Sequence, residues 1–583
     1  MRAAIQTDIL IIGSEGAGAR AAIEASRQGL DVLILTKGRM ARSGATITAR
    51  ADMNLDSQSA KDLFGLPGDP RDSKETFFED TLSEGKQINN QEMVKVLVEE
   101  SPLRIRELVN WGMKVYDFVK AAGHRYPRGV VSPGKEIMQA LRREVIRHPN
   151  IRLLEDVMAL DLLKRDHQIA GAVALNLRTG EFETISAKAV ILATGGAQMV
   201  YPMHTAPEEL SGDGQAMAWR AGSDLIDMEM TQFLAAAFIE PLAWKGISFP
   251  FAISLNQHTL RSWLLNRRGE RFMEHWDPVR MENSTRDVLS VAVMNEILEG
   301  RGSPAGGVFL SFAHLPKNLI DYFSKWYGKP NLQEDWTYTG FKFKDLMEKV
   351  KDGYAMEVAP ASHFFMGGVR VDVDGRASVG GLYAAGEVSG GLHGANRLSG
   401  NAISQILVQG KRVGESAAQY ASGTARHPID PGLTERLIAK YLAPIERTGG
   451  VSAFAVKRKI HKLSWEKVGV IRDGKGLQEA LEEIGRIESE EMPLLHCNSK
   501  DRIYNREWVE CLQVENLLSV LKAIALSALE RTESRGAHYR KDYTKTDDQE
   551  WLKNIAIHNE NDRMKVSRVP VITTRYPLPS EDR

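Results

Sequence analysis

Asp8-Ile9-Leu10-Ile11-Ile12-Gly13-Ser14-Glu15-Gly16-Ala17-Gly18 decides the fold. Ile9 to Ile12 is a short, nearly continuous apolar run, as a strand buried on both faces requires. Glycines follow at 13, 16 and 18, and Ala19 to Gln28 then has helical spacing, with Ala22, Ile23 and Ala25 on one side. Gly29 stands where a helix-ending glycine belongs. Val32-Leu33-Ile34-Leu35 reads as the next strand. Strand, tight glycine turn, helix, strand is the dinucleotide-binding βαβ unit, which receives a pyrophosphate at the helix N-terminus. Gly13, Ser14, Glu15, Gly16, Ala17 and Gly18 are therefore expected to meet a cofactor.

The unit departs from its pattern twice. Glycine is expected at the third turn position, where Glu15 stands. Its carboxylate must turn away from the phosphates for a ligand to approach. The second strand ends in Thr36-Lys37 instead of the acid that grips an NAD ribose.

Farther along lie more glycine turns. Ala189-Val190-Ile191-Leu192-Ala193-Thr194-Gly195-Gly196 is a second buried strand running into glycines, and Ser211-Gly212-Asp213-Gly214 opens a helix expected over Gln215 to Ala221. Gly381-Leu382-Tyr383-Ala384-Ala385-Gly386-Glu387 leads to His393-Gly394-Ala395-Asn396-Arg397-Leu398-Ser399-Gly400-Asn401. Glycine lets a backbone approach a ligand closely, and Arg offers a planar fork to a carboxylate or phosphate. The last run reads as a junction of cofactor and substrate. Several such turns in one α/β domain suit a long cofactor such as FAD.

Composition narrows the class. The chain has 583 residues, 43% hydrophobic and 26% charged, with a formal net charge of -1. That length allows about three or four domain-sized units, and the charge shows no nucleic-acid footprint. No run of about 18 apolar residues suggests a membrane span, and Met1-Arg2 leads almost directly into a strand, without a signal-peptide pattern. A cytoplasmic location is expected, with any membrane association made through a partner. Cys497 and Cys511 are the two cysteines, too few for a cluster held by about four thiolates. They read as reduced structural thiols, and no metal site is expected.

Other motifs occur in order with these: Met228-Glu229-Met230, Gln232-Phe233, Leu265-Asn266, Gly269-Glu270-Arg271-Phe272, Arg286-Asp287-Val288 and Glu533-Ser534-Arg535-Gly536-Ala537-His538. Together they resemble the flavoprotein subunit of the succinate dehydrogenase/fumarate reductase family, which includes L-aspartate oxidase and, more distantly, the adenylylsulfate reductase flavoprotein subunit. The resemblance covers nearly the whole chain. It implies an α/β, Rossmann-like FAD-binding domain (1–225 and 355–425) with an inserted α+β capping domain (226–354). A helical domain (426–540) and a C-terminal extension (541–583) follow. It also implies that Thr36, Lys37, Ser43, Gly44, Ala45, Thr46, Ala193, Thr194, Gly195, Asp213, Glu387, Arg397, Ala402 and Ile403 contact FAD.

The family chemistry is hydride exchange between flavin N5 and a carbon beside a carboxylate. By resemblance, His363 and Arg397 bind one carboxylate and Arg286 moves the proton. The opposite carboxylate loses its partners. The family histidine after Gln-Phe is Leu234 here, the family Thr-Glu pair is Ser254-Leu255, and an arginine of the proton path is His258. Ser254 keeps a hydroxyl, and His258 is a candidate shuttle near neutral pH. A carboxylate facing Leu234 forfeits charge-assisted hydrogen bonds worth about 1.5–3 kcal/mol each. A small organic acid other than a standard C4 dicarboxylate is therefore expected. Two alternatives are a true fumarate reductase or succinate dehydrogenase with a rebuilt site, and an electron-conduit flavoprotein with no organic substrate. Respiratory members bond FAD through a histidine in an Arg-Ser-His-Thr segment. This chain has Arg42-Ser43-Gly44-Ala45-Thr46, so non-covalent FAD is expected, with an iron–sulfur partner subunit carrying electrons onward.

Overall fold

Ile9–Ile12 is the central strand of a five-stranded parallel sheet ordered Leu382–Ala384, Ala189–Leu192, Ile9–Ile12, Val32–Thr36, Ile151–Glu155. Ile9, Leu10 and Ile11 are fully buried, which accounts for the unbroken apolar run. The structure is a computed structural model and describes residues 4–121, 123–248, 252–255, 258–327 and 343–574.

Helix Gly16–Arg27 packs on this sheet and against the long helix Asn401–Gly423. Small residues make the approach possible. A Cβ added at Gly410 would lie 2.8 Å from the Ala17 carbonyl oxygen, and one at Gly414 would lie 2.5 Å from that of Ala21. The helix begins at Gly16, not at the expected Ala19, with Glu15 as its N-cap.

The chain divides into two compact units. The first comprises Met1–Val200, Pro207–Thr231 and Phe364–Arg583, and the second Tyr201–Ala206 and Gln232–His363. The capping domain set at 226–354 from the sequence thus compares with a second unit that starts at Gln232, ends at His363 and adds a short earlier segment. Residues 426–540 and 541–583 belong to the first unit. Helices Pro431–Glu446, Ala453–Glu466, Gly474–Arg486 and Arg506–Glu530 occupy the former stretch. In the latter, hairpin Lys553–Glu560/Arg563–Pro570 pairs with Leu225–Ile226 in one sheet. Helix Arg506–Glu530 is long and apolar enough to span a membrane, but 67% of its apolar window is buried inside the protein, as in a core helix. Cys497 and Cys511 are both buried thiols, Sγ to Sγ 3.7 Å.

The second unit is built on a four-stranded sheet ordered Thr231–Phe238, Met356–Phe365, Val308–Ser311, Trp263–Leu265. Helix Arg286–Leu298 packs its Leu289, Ala292 and Val293 into a core with Phe238, Leu264 and Met356.

Candidate active site and cofactor cleft

The glycine turn opens onto a cleft within the first unit. Gly13, Ser14, Glu15, Gly16 and Ala17 line it, with Thr36, Lys37, Ser43, Gly44, Ala45, Thr46, Ala193, Thr194, Gly195, Asp213 and Glu387. Two strand ends meet here as bare backbone. Gly13 has φ 111°, and a Cβ on it would lie 2.1 Å from the Ala193 carbonyl oxygen. Gly18 serves packing instead: a Cβ there would lie 2.0 Å from the Gly13 carbonyl oxygen. A backbone-walled crevice at the start of a twelve-residue helix fits a pyrophosphate-bearing cofactor. Ala402 and Ile403 are not among the lining residues, and Ile406, one turn on, takes that place. Ile403 is buried in the core beneath.

Lys37, which stands where an acid was expected, donates to Ser211 Oγ and Asp213 Oδ2, each at 2.7 Å. Asn516 Nδ2 donates to the other Asp213 oxygen at 2.8 Å. The Ser-Gly-Asp-Gly motif thereby closes on the second strand.

Glu15 lines the cleft, and its Oε2 accepts the N–H groups of Thr46 (3.0 Å) and Ile47 (3.2 Å). Burial, reinforced by the charge of Glu209, pushes this carboxyl up to about 8. Gly44 makes room for it. A Cβ at Gly44 would lie 2.4 Å from Glu15 Cγ and 2.6 Å from Cδ, and the residue has φ 91°.

Glu387 ties the cleft to the next loop. Its Oε1 accepts Gln198 Nε2 at 2.5 Å and the Phe365 N–H at 2.9 Å. Burial pushes this carboxyl up to about 7.

Arg397 is 5% exposed, and its guanidinium lies 4.5 Å over the Phe364 ring. Its loop is gripped by segments from across the sequence. Ala395 N–H donates to Gly85 O (2.9 Å), Asn396 Nδ2 to Glu84 Oε1 (2.7 Å), and Asn89 Nδ2 to Leu392 O (2.9 Å). Asn54 Nδ2 donates to Ser399 O at 2.6 Å, and His124 Nε2 lies 2.8 Å from the same oxygen. The Glu533–His538 motif supplies the last contact, from Ala537 N–H to Ala395 O at 2.9 Å. Behind that turn, Arg531 pairs with Glu229 (2.8 Å) and Glu533 (2.9 Å), all fully buried, and Glu533 also holds Arg535 (2.7 Å). Such a pair is costly to desolvate, and removing one partner leaves a buried uncompensated charge. The network therefore holds the turn in one arrangement. His393, in the same loop, bonds through Nε2 to Gln405 Oε1 at 2.8 Å. Burial, with the Arg397 charge nearby, pulls it down to about 3, so it is neutral at pH 7.

The second unit carries the other expected groups. Arg286 is the first residue of its helix, and its Nη1 donates to Gln232 Oε1 at 2.9 Å. Ser290 Oγ bonds the Phe233 carbonyl at 3.1 Å, fastening that helix to strand Thr231–Phe238. The Leu-Asn-x-x-Gly-Glu motif anchors it further: Asn266 Nδ2 donates to Glu270 Oε2 (2.7 Å) and to Glu296 Oε2 on the helix (3.0 Å). His363 Nδ1 lies 2.8 Å from Thr205 Oγ1, which fixes the ring. Leu234 is two residues from Gln232 on one strand, so both share a face. Ser254 and Leu255 lie on strand Ala252–Leu255 and His258 on its partner His258–Arg261, with Leu255 directly opposite His258. Their side chains lie outside the described residues, so the shuttle and substrate roles expected for them stay sequence expectations.

Gln232, Thr205, Gln198 and Asn54 escaped the reading of the sequence as site residues. Gln232 carried a signal, since it precedes Phe233 within a recognised motif. Thr205 carried none, because its partner His363 is 158 positions away.

A family model for the FAD binding domain matches residues 8–403, and one for the fumarate reductase flavoprotein C-terminus matches residues 457–583. The chain is 36% identical over 573 residues to one subunit of the fumarate reductase (CoM/CoB) of Methanothermobacter marburgensis, covering 97% of this chain and 99% of that protein. It is 32% identical over 608 residues to the fumarate reductase flavoprotein subunit of Mycobacterium tuberculosis, covering 98% of each. The structure of Mycobacterium smegmatis Sdh1 in complex with UQ1 superposes with a TM-score of 0.85 at 31% identity, covering 98% of this chain and 95% of that one. With its cleft and ordered motifs, the chain belongs to the succinate dehydrogenase/fumarate reductase flavoprotein family and is an FAD-dependent oxidoreductase.

Proposed function

We propose that this enzyme exchanges a hydride with a carbon–carbon bond beside a carboxylate, on a substrate that is not a standard C4 dicarboxylate. The observation that carries this reading is Leu234, an apolar side chain on the same strand face as Gln232, the partner of Arg286. FAD, when bound, supplies the two-electron chemistry. Gly13 to Ala17, Thr36, Lys37, Ser43 to Thr46, Ala193 to Gly195, Asp213 and Glu387 are assigned to hold it, and the crowding at Gly44 favours a non-covalent cofactor. Arg397 and His363 are assigned to one substrate carboxylate. Arg286 is assigned to proton transfer, its fork oriented by Gln232. Arginine stays charged at ordinary pH, so the proton it gives must be replaced by a relay, a role assigned to His258.

An iron–sulfur protein is proposed as the electron-carrying partner, since the chain has only two cysteines and its relatives from Methanothermobacter marburgensis and Mycobacterium tuberculosis are both named as subunits. A second reading, a C4 dicarboxylate enzyme with a rebuilt site, draws support from the names of both relatives. One assay separates them. With a reduced viologen dye as donor, a 2-enoic monocarboxylate is expected to turn over at least tenfold faster than fumarate. Fumarate reduced as fast or faster overturns the proposal.

A further inference from the structure

Gln405 lies in the second turn of helix Asn401–Gly423, fully buried, with its amide between two loops. On one side its Nε2 donates to the Gly386 carbonyl (3.2 Å) and to Gln409 Oε1 (3.0 Å). Gln409 Oε1 also accepts the Gly386 N–H at 2.9 Å. Gly386 lines the cofactor cleft with φ 80°, and these two side chains hold both of its backbone polar groups. On the other side Gln405 Oε1 faces His393 Nε2 at 2.8 Å.

The direction of each bond is fixed by elimination. The Gly386 N–H can only donate, so the oxygen of Gln409 faces it. The Gly386 carbonyl can only accept, so the nitrogen of Gln405 faces it and the oxygen of Gln405 faces His393. His393 must then donate through Nε2–H. The ring pinned in this way meets Phe364 edge to face, with centroids 5.2 Å apart and planes at 81°. The Phe364 ring in turn carries the Arg397 guanidinium at 4.5 Å. One amide thus joins the backbone of the cofactor cleft to the seat of Arg397.

We propose that Gln405 is a positioning residue, which registers Arg397 against the cofactor cleft through His393 and Phe364. This rests on Arg397 being the clamp for a substrate carboxylate. An apolar side chain at 405 takes from the buried His393 N–H its acceptor and frees the ring that seats Phe364.

The test titrates the oxidised holoenzyme with butanoate, a saturated monocarboxylate, and reads the perturbation of flavin absorption. Gln405→Met is expected to raise the dissociation constant at least tenfold with FAD content unchanged. His393→Gln keeps an N–H donor for Gln405 but offers Phe364 no ring edge, and the same rise is expected. It leaves the Gly386 contacts in place, so it decides the matter if Gln405→Met loses FAD. Flavin reduction by a reduced viologen dye needs no clamp, and its rate is expected within threefold of the natural value in both variants. Unchanged butanoate affinity in both overturns the proposal. Dye reduction slowed as much as affinity is weakened also overturns it, since that pattern marks a general structural role. Arg397→Ala is run alongside. No response to butanoate in the natural protein, or one that survives Arg397→Ala, refutes the clamp reading and this inference with it. Affinity lost in Arg397→Ala but kept in Gln405→Met and His393→Gln refutes only the inference.

Discussion

Gly536→Ala asks whether the C-terminal turn sets the position of Arg397. Gly536 has φ 54°, and a Cβ on it would lie 2.5 Å from the Ala395 carbonyl oxygen. Ordinary contact begins near 3.4 Å, so the 395 segment must retreat by about 0.9 Å. That oxygen accepts the Ala537 N–H and lies two residues before Arg397. Misplacing a reacting or clamping group by about 1 Å costs on the order of 10²-fold, equal to about 2.7 kcal/mol of transition-state stabilisation. The left-handed backbone adds a folding cost of about 1 kcal/mol for alanine. The assay is steady-state reduction of an enoic acid by a reduced dye, with flavin content and Tm measured on the same preparation. We expect kcat/KM to fall about 10²-fold with full FAD occupancy, and the same substitution to cost far less in an Arg397→Lys background. A lowered Tm with unchanged kcat/KM would mean that the turn supports the fold and leaves the clamp alone.

Two further outcomes follow from the site. Arg286→Ala and His363→Ala are each expected to abolish dye-linked reduction of the organic acid. A flavoprotein that only relays electrons would keep its dye-to-acceptor activity in both variants and show no acid-dependent turnover to lose. The Glu387 carboxyl, raised by burial from 4.5 to about 7, keeps in the native state a proton that the unfolded chain releases near pH 4.5. Stability of the apoprotein is therefore expected to fall as pH rises from about 4.5 to 7, by at most about 3 kcal/mol from this group. Thermal unfolding across that window should show Glu387→Gln flattening the slope, and an unaltered slope would assign it elsewhere.

The βαβ unit was legible because its signals are local: an apolar run, glycines at fixed offsets and a capping glycine at 29. Boundaries drifted where a cap was passed over. The first helix, expected from Ala19, begins at Gly16, and the long C-terminal helix runs Arg506–Glu530. Asn505 begins it by accepting the Trp508 N–H at 3.1 Å, an N-cap that periodicity alone does not register. The destination of Glu15 could be argued only as a requirement, since its partners stand 31 and 32 residues away. The pairing of Gln232 with Arg286 and the grip of Asn54 and His124 on Ser399 depend on how distant segments cross. No local pattern encodes that.

The grip on the Arg397 loop also sets an order of assembly. Residues near 54, 85, 89 and 124 must be in place, and so must the turn at 537, before the loop around 395 is held on every side. Contacts between segments so far apart in the chain form late. The glycine turn and the two strands that flank its helix lie within residues 5–36, whereas the arginine loop waits for the turn at 537. A chain without the 533–538 turn thus holds the beginnings of a flavin cradle while the loop of Arg397, proposed to clamp the substrate, lacks its grip on the Ala395 carbonyl.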